Sequence, residues 1–102
     1  MEPRSDLASP WITRNNVAHI QLENEIQWDG KCITVWALTE GRRIKCEIPR
    51  ATVHSLPLFS DSLAREIARD RAEIVDRLRP ILFAKVALAK GDNIELHPHD
   101  LL

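Results

Sequence analysis

The chain is poor in the residues that build the commonest ligand-binding and metal-binding motifs. Its 102 residues include only three glycines and two cysteines. A glycine-rich phosphate loop needs several glycines close together, whereas these three are far apart and each suits a turn or a helix end. Two cysteines alone do not complete a zinc site. We therefore do not expect nucleotide hydrolysis, and we predict neither a cofactor nor a metal.

The chain also lacks long apolar runs and an excess of one charge. No apolar run approaches the roughly 18 residues of a membrane helix, and residues 1–6 contain no apolar signal core. The 14 Lys and Arg residues are balanced by 15 Asp and Glu residues, so no overall field attracts nucleic acid or an anionic membrane. We expect a cytoplasmic protein that does not bind membranes and in which any basic site is local.

What the chain does contain is enough apolar sequence for one core. Hydrophobic residues make up 44% of its 102 positions, which suits a single compact domain. Residues 1–16 are rich in Pro, Ser and Asn, with Trp11 and Ile12 isolated among them. We predict a flexible N-terminal arm over residues 1–16 and a single domain over residues 17–102.

Alternating apolar and polar residues predict an antiparallel sheet in the first half of this domain. Residues 17–22 and 26–28 have the composition of short strands, and Asp29 and Gly30 form a turn into the main hairpin. The hairpin has strands over residues 31–39 and 42–49, joined by Glu40 and Gly41. Residues 50–56 predict one or two helical turns before Pro57.

Apolar spacings of three and four residues predict one long helix in the second half. Ser60 or Asp61 is expected to cap its start and Gly91 to follow its end. Pro80 is expected to kink or split this helix near residues 77–79. Residues 93–97 predict a last short strand before a tail. The predicted fold is α+β, an antiparallel sheet packed against one long, Pro-kinked helix.

The two hairpin strands differ in what they bury. The second strand alternates apolar and charged residues, whereas the first carries apolar residues on both faces. Something therefore covers the second face of the first strand, either another part of the chain or another molecule. The expected register pairs Val35 with Cys46 and places Cys32 on the opposite face, so the two thiols do not meet in a disulfide.

The residues on this second face define the candidate interaction site: Trp36, Leu38, Arg43 and Lys45. Interfaces use Trp anchors and Arg rims, so the first hypothesis is a non-enzymatic interaction or regulatory module that binds a protein partner or itself. An alternative is weak binding of RNA or single-stranded DNA by Trp36, Arg42, Arg43 and Lys45.

Two further interpretations of the second face involve no partner molecule. Lys45 lies directly across from Trp36 in the expected register, so its ammonium group is placed for a contact with the ring. Otherwise the N-terminal arm covers the face internally through Trp11 and Ile12. Both interpretations stay open at the level of sequence.

No catalytic constellation is predicted. His97, His99 and Asp100 have the composition of a metal site but lack further ligands at diagnostic spacings, so they are interpreted as part of a tail. His19 and His54 have no neighbouring nucleophile or paired carboxylate. We therefore expect no enzyme activity and assign no catalytic, cofactor-binding or metal-binding residue.

The order of several short motifs over residues 17–102 resembles a family of small uncharacterised proteobacterial proteins, the domain of unknown function 1488 type. The motifs are an aromatic-Asp step, a hairpin, an Arg followed three residues later by an aliphatic residue, a short final strand and an Asp-aromatic end. Here they correspond to Trp28-Asp29, the main hairpin, Arg71 with Ile74, Ile94-Glu95-Leu96 and Asp100-Leu101, where Leu101 replaces the usual aromatic residue. The resemblance implies short strands, a hairpin, a helix and a final strand. It implies no reaction, cofactor or ligand, so it assigns no site residue.

Overall fold

The structure is a computed structural model and describes residues 20–102. The elements are strands β1 (Gln21–Trp28), β2 (Cys32–Thr39) and β3 (Arg42–Pro49), helix α1 (Arg50–His54), a 3₁₀ turn (Pro57–Phe59), helix α2 (Ala64–Leu88), strand β4 (Asn93–Glu95) and a second 3₁₀ turn (Pro98–Leu101). The strands form one sheet in the order β1, β2, β3, β4. One long helix packs against this sheet, so the α+β prediction is confirmed. The predicted arm over residues 1–16 and the strand positions 17–19 lie outside the described residues.

The central hairpin has the predicted register. Thr39 pairs with Arg42, Val35 with Cys46 and Ile33 with Ile48. Both turn residues have positive φ, 50° at Glu40 and 78° at Gly41, as a two-residue type I′ hairpin turn requires. The turn therefore fixes which side chains of the two strands share a face.

Strand β1 corrects the prediction of two short strands. It is one strand, Gln21–Trp28, whose register with β2 shifts between Leu22 and Ile26. Leu22 pairs with Ala37 and Ile26 with Val35. The three polar residues 23–25 of β1 therefore stand opposite one residue of β2, Trp36. The polar interruption is thus an irregularity within a strand, which bends the strand without ending it.

Strand β4 corrects the prediction of a fully antiparallel sheet. It pairs parallel to β3, with Ile94 opposite Cys46, and it spans Asn93–Glu95, less than the predicted residues 93–97. The chain leaves the end of β3, runs back along α2 and re-enters the sheet in the direction of β3, as a helical crossover requires. The sheet is therefore mixed.

The ends of α2 also differ from the prediction. The residue before the helix is Leu63 in place of Ser60 or Asp61, and the Glu66 carboxylate accepts a hydrogen bond from the Leu63 N–H at 2.8 Å. The Ser60 hydroxyl instead donates to the Pro57 carbonyl, so it belongs to the preceding 3₁₀ turn. Helix α2 ends at Leu88, before the Gly91 that the sequence suggested.

Pro80 does not split the long helix. Helix α2 runs for 25 residues from Ala64 to Leu88 with Pro80 inside it, and Pro80 itself is exposed. The expected split near residues 77–79 is therefore wrong, because the hydrogen bonds on both sides of the proline keep the helix continuous. Bending at Pro80 stays a prediction.

The core lies between α2 and one face of the sheet. The sheet contributes six fully buried side chains, and α2 contributes a stripe of apolar residues at the predicted spacing. These residues are Ile33, Val35, Ala37, Ile44, Cys46 and Ile48 from the sheet, and Ile67, Ile74, Val75, Leu78, Leu82 and Val86 from α2. One face of the sheet is thus sealed by the helix.

The end of the chain is a structured turn in place of the predicted tail. Asp100 accepts hydrogen bonds from Lys85 Nζ at 2.5 Å and from the His97 N–H at 2.7 Å. The buried Thr52 hydroxyl donates to the Leu96 carbonyl at 2.7 Å. These contacts tie the C-terminal turn to both helices.

Candidate interaction surface

The candidate surface is the face of the sheet that points away from α2, called the open face below. It is defined by the alternate side chains of β2 and β3, which are Cys32, Thr34, Trp36, Leu38, Arg43, Lys45 and Glu47. None of these seven side chains is buried, and Leu38 is 39% exposed. Their neighbours on the same strands are fully buried, except Thr39 and Arg42 beside the hairpin turn. All four sequence-predicted interaction residues lie on this one face.

The cation that covers the Trp36 ring is Arg43. Lys45, which pairs with Trp36 across the two strands, does not cover it. The Arg43 guanidinium carbon lies 4.2 Å from the centroid of the Trp36 ring, within the range of a cation–π contact. Lys45 pairs with Trp36 in register, but its Nζ lies 3.7 Å from the Glu47 carboxylate. The cross-strand contact expected for Lys45 is therefore made by Arg43, which lies diagonally across from Trp36.

Glu23 holds Arg43 in this position. The Arg43 side chain donates two hydrogen bonds to the Glu23 carboxylate, from Nε at 2.6 Å and from Nη2 at 2.9 Å. This side-chain hydrogen bonding lowers the pKa of Glu23 and raises that of Arg43. Glu23 lies in the irregular part of β1, so sequence reasoning did not associate it with the site. The only feature of the sequence that marks Glu23 is the polar stretch over residues 23–25 within β1.

Every cation of the alternative nucleic-acid site already has a partner. Arg43 binds Glu23, and Lys45 lies near Glu47. Arg42 donates to the Gly91 carbonyl at 2.7 Å. Nucleic-acid binding depends on cations that are free to neutralise phosphates, and stacking needs an uncovered ring. The arrangement thus favours a partner surface with little net charge.

The two cysteines lie on opposite faces, as predicted, and both are free thiols. Cys46 is buried on the helix side, and burial raises its pKa to about 11. Cys32 is half-buried on the open face, and burial followed by the nearby Glu47 charge raises its pKa too. A raised pKa disfavours the thiolate, which is the reactive form. Neither thiol is activated as a nucleophile.

The polar groups considered for catalysis or metal binding make structural contacts. The rings of His97 and His99 stack with centroids 5.3 Å apart, while Asp100 binds Lys85. His54 Nε2 lies 3.1 Å from the Ser62 carbonyl. Within residues 20–102, no three His, Cys, Asp or Glu side chains are grouped so that they could hold a metal ion. His19 lies outside the described residues.

A shallow depression beside the first turn of α2 also has polar walls. It is lined by residues 57–62 together with Glu66, Arg69 and Asp70. Glu66 accepts the Leu63 N–H, and Asp70 accepts two hydrogen bonds from Arg69. The side-chain hydrogen bond from Arg69 lowers the pKa of Asp70. Both carboxylates thus already have structural hydrogen-bond partners.

Comparisons with known proteins do not indicate a function for this chain. No protein-family model, curated protein or solved structure matches the chain. In the stretch from residue 20 to residue 102, no helix is both long enough and apolar enough to cross a membrane. The resemblance to the domain of unknown function family therefore stays a prediction.

Proposed function

We propose that this chain is a small non-enzymatic interaction or regulatory module of the cytoplasm, which binds a protein partner or itself through the open face. The observation that carries the proposal is the contrast within β2. Ile33, Val35 and Ala37 are fully buried under α2, whereas Trp36 and Leu38 lie on the other side with exposed surface. An apolar central strand whose half-buried Trp36 is stacked with Arg43 suits a docking surface.

The composition of the open face favours protein over nucleic acid. Trp and Arg are the residues most enriched at the centres of protein interfaces. Here they form one stacked unit, since Arg43 covers Trp36 and Glu23 neutralises Arg43. A partner that contacts this unit needs apolar and hydrogen-bonding groups more than charge. Membership of the resembled family is proposed alongside and adds no reaction.

The direct test places a photo-crosslinking amino acid at Leu38 in the full chain and irradiates it in native cell extract. Leu58 is a matched control position, because it is also a leucine and is 66% exposed on the 3₁₀ turn that precedes α2. We expect protein adducts at position 38 well above those at position 58. Adding Trp36→Ser, with the fold checked by circular dichroism, is expected to remove them.

Two results of this experiment contradict the proposal. The first is an equal yield of protein adducts at positions 38 and 58, which shows that the open face has no preference for protein. The second is adducts at position 38 that contain nucleic acid in place of protein. That result favours the alternative with Trp36, Arg42, Arg43 and Lys45, whose affinity should fall steeply with salt.

A further inference from the structure

We infer that the partner of the open face is a second copy of this chain, docked open face to open face about a two-fold axis. The inference rests on the proposed function and deepens it by naming the partner. Three features of the described residues support it: the distribution of charge on the face, the position of its aromatic anchor and its size.

The charges of the open face are self-complementary. A two-fold interface brings the same patch against itself, so a patch of one sign repels its copy. Here Arg43 pairs with Glu23 and Lys45 lies beside Glu47, so positive and negative groups alternate across the face. Each of these cations therefore has an anion beside it, so the face carries little net charge and a second copy meets little repulsion.

The charge of the whole chain points in the same direction. The sequence has a formal net charge of −1 at neutral pH. Long-range repulsion between two copies is therefore weak, and a net charge close to zero promotes association. A strongly charged partner, by contrast, finds no field of opposite sign on this face.

The aromatic anchor lies in the middle of the face. Trp36 belongs to β2, which has β1 on one side and β3 on the other, and Leu38 is the next residue on the same side. Energetically important interface residues cluster at the centre, where surrounding contacts exclude water from them. In a face-to-face pair, these two side chains are the first to be shielded.

The size of the face predicts a weak dimer. The same side of the sheet continues onto β1 and β4, so three strands of eight residues and one of three, about 4.8 Å apart, present roughly 400 to 500 Å² from each copy. The total, about 800 to 1,000 Å², is in the range of weak and transient interfaces. The dimer should therefore depend on concentration and exchange with monomer.

The test uses purified full-length chain with the photo-crosslinker at position 38. Equal amounts of unlabelled and ¹⁵N-labelled protein are mixed and irradiated at increasing concentrations, and adducts are mapped by mass spectrometry. We expect adducts that join labelled to unlabelled chains through β2 and β3, with a yield that rises with concentration. Adding Trp36→Ser to this protein, with folding checked, is expected to lower association about tenfold.

Three outcomes overturn the inference. One is the absence of mixed-label adducts at every concentration, and another is an equal yield from position 58. The third is adducts within one chain to residues 1–19, which shows that the chain itself occupies the face. If self-adducts are absent but position 38 still captures another protein in extract, the dimer is wrong and the proposed function stands. If both are absent, both fail.

Discussion

The two faces of the central hairpin are built from the same two strands but have opposite roles. On the helix side, six of the eight alternate residues of β2 and β3 are fully buried, the exceptions being Thr39 and Arg42 beside the turn, whereas on the open side none of the seven named residues is buried. Burying an aliphatic side chain contributes about 1.5 to 3 kcal/mol, while exposed ion pairs contribute little. The helix side therefore contributes most of the stability, and in the proposed function the open side exchanges its contacts for those of a partner.

The largest expected difference between the faces is in the cost of truncating an aliphatic residue of β2. Ile33→Ala should destabilise the protein by about 2 to 5 kcal/mol, because it leaves a cavity under α2. Leu38→Ala, on the open side of the same strand, should cost about 1 kcal/mol or less. Urea unfolding of the two variants measures both values. Similar costs would show that the open face is part of the core.

The two cysteines provide a second comparison of the faces. Cys46→Ser places a hydroxyl in a site that is fully buried, so it should cost about 1 to 3 kcal/mol. Cys32→Ser lies on the half-buried open side and should cost about 0.5 kcal/mol or less. Urea unfolding is again the measurement. A larger loss for Cys32→Ser would mean that the open face excludes water in the isolated chain.

Thiol labelling of the native protein examines the same pair without mutation. Cys32 should react with a maleimide first, because Cys46 is fully buried and burial raises its pKa to about 11. Cys46 should react only when the protein unfolds. Mass spectrometry of the labelled peptides over time reports the order. Equal rates for the two thiols would contradict the division into a sealed face and an open face.

A smaller effect is expected for the ion pair on the open face. Glu23→Gln and Arg43→Met should show a favourable coupling in a double-mutant cycle, because their side chains share two hydrogen bonds. The coupling should fade with added salt, since Arg43 remains half exposed. Glu73→Gln and Arg77→Met, an exposed pair on α2, supply the control cycle. Full additivity at low salt would show that Glu23 does not position Arg43.

The smallest effect concerns acid sensitivity at the C-terminal turn. The hydrogen bond from Lys85, followed by that from the His97 N–H, lowers the pKa of Asp100 from its usual 3.8. A lowered carboxylate pKa gives stability that is present above pH 3.8 and is lost as the pH falls below that value. Unfolding free energies of wild type and Asp100→Asn should therefore differ at neutral pH and converge in acid. A constant difference across this range contradicts the role of the pair.

Much of the sheet was predictable because its determinants are local. A two-residue loop at Glu40 and Gly41 fixes the hairpin register, and the period-two pattern then decides which face holds Cys32 and which holds Cys46. The direction of β4 was not predictable from its own residues, because it depends on the path of α2 across the sheet. The helix start was wrong for a similar reason, since the Ser60 hydroxyl serves the preceding turn.

The sequence predicted which residues share the open face, but it did not predict which of their side chains contact one another. Alternation placed Trp36, Leu38, Arg43 and Lys45 on one face, which the register confirms. The choice of Arg43 over Lys45 as the cation on Trp36 depends on Glu23, whose carboxylate is presented by an irregularity in β1. Contacts of this kind join residues far apart in sequence and leave no periodic signal.

The central claim, that the open face binds a second copy, is tested most directly by sedimentation equilibrium of the full chain over a wide concentration range. Wild type should change from monomer to dimer as concentration rises, as should Leu58→Ser, whereas folded Trp36→Ser should need about a tenfold higher concentration for the same change. A monomer mass for wild type at every concentration would contradict the claim. So would a folded Trp36→Ser variant that dimerises at the same concentrations as wild type.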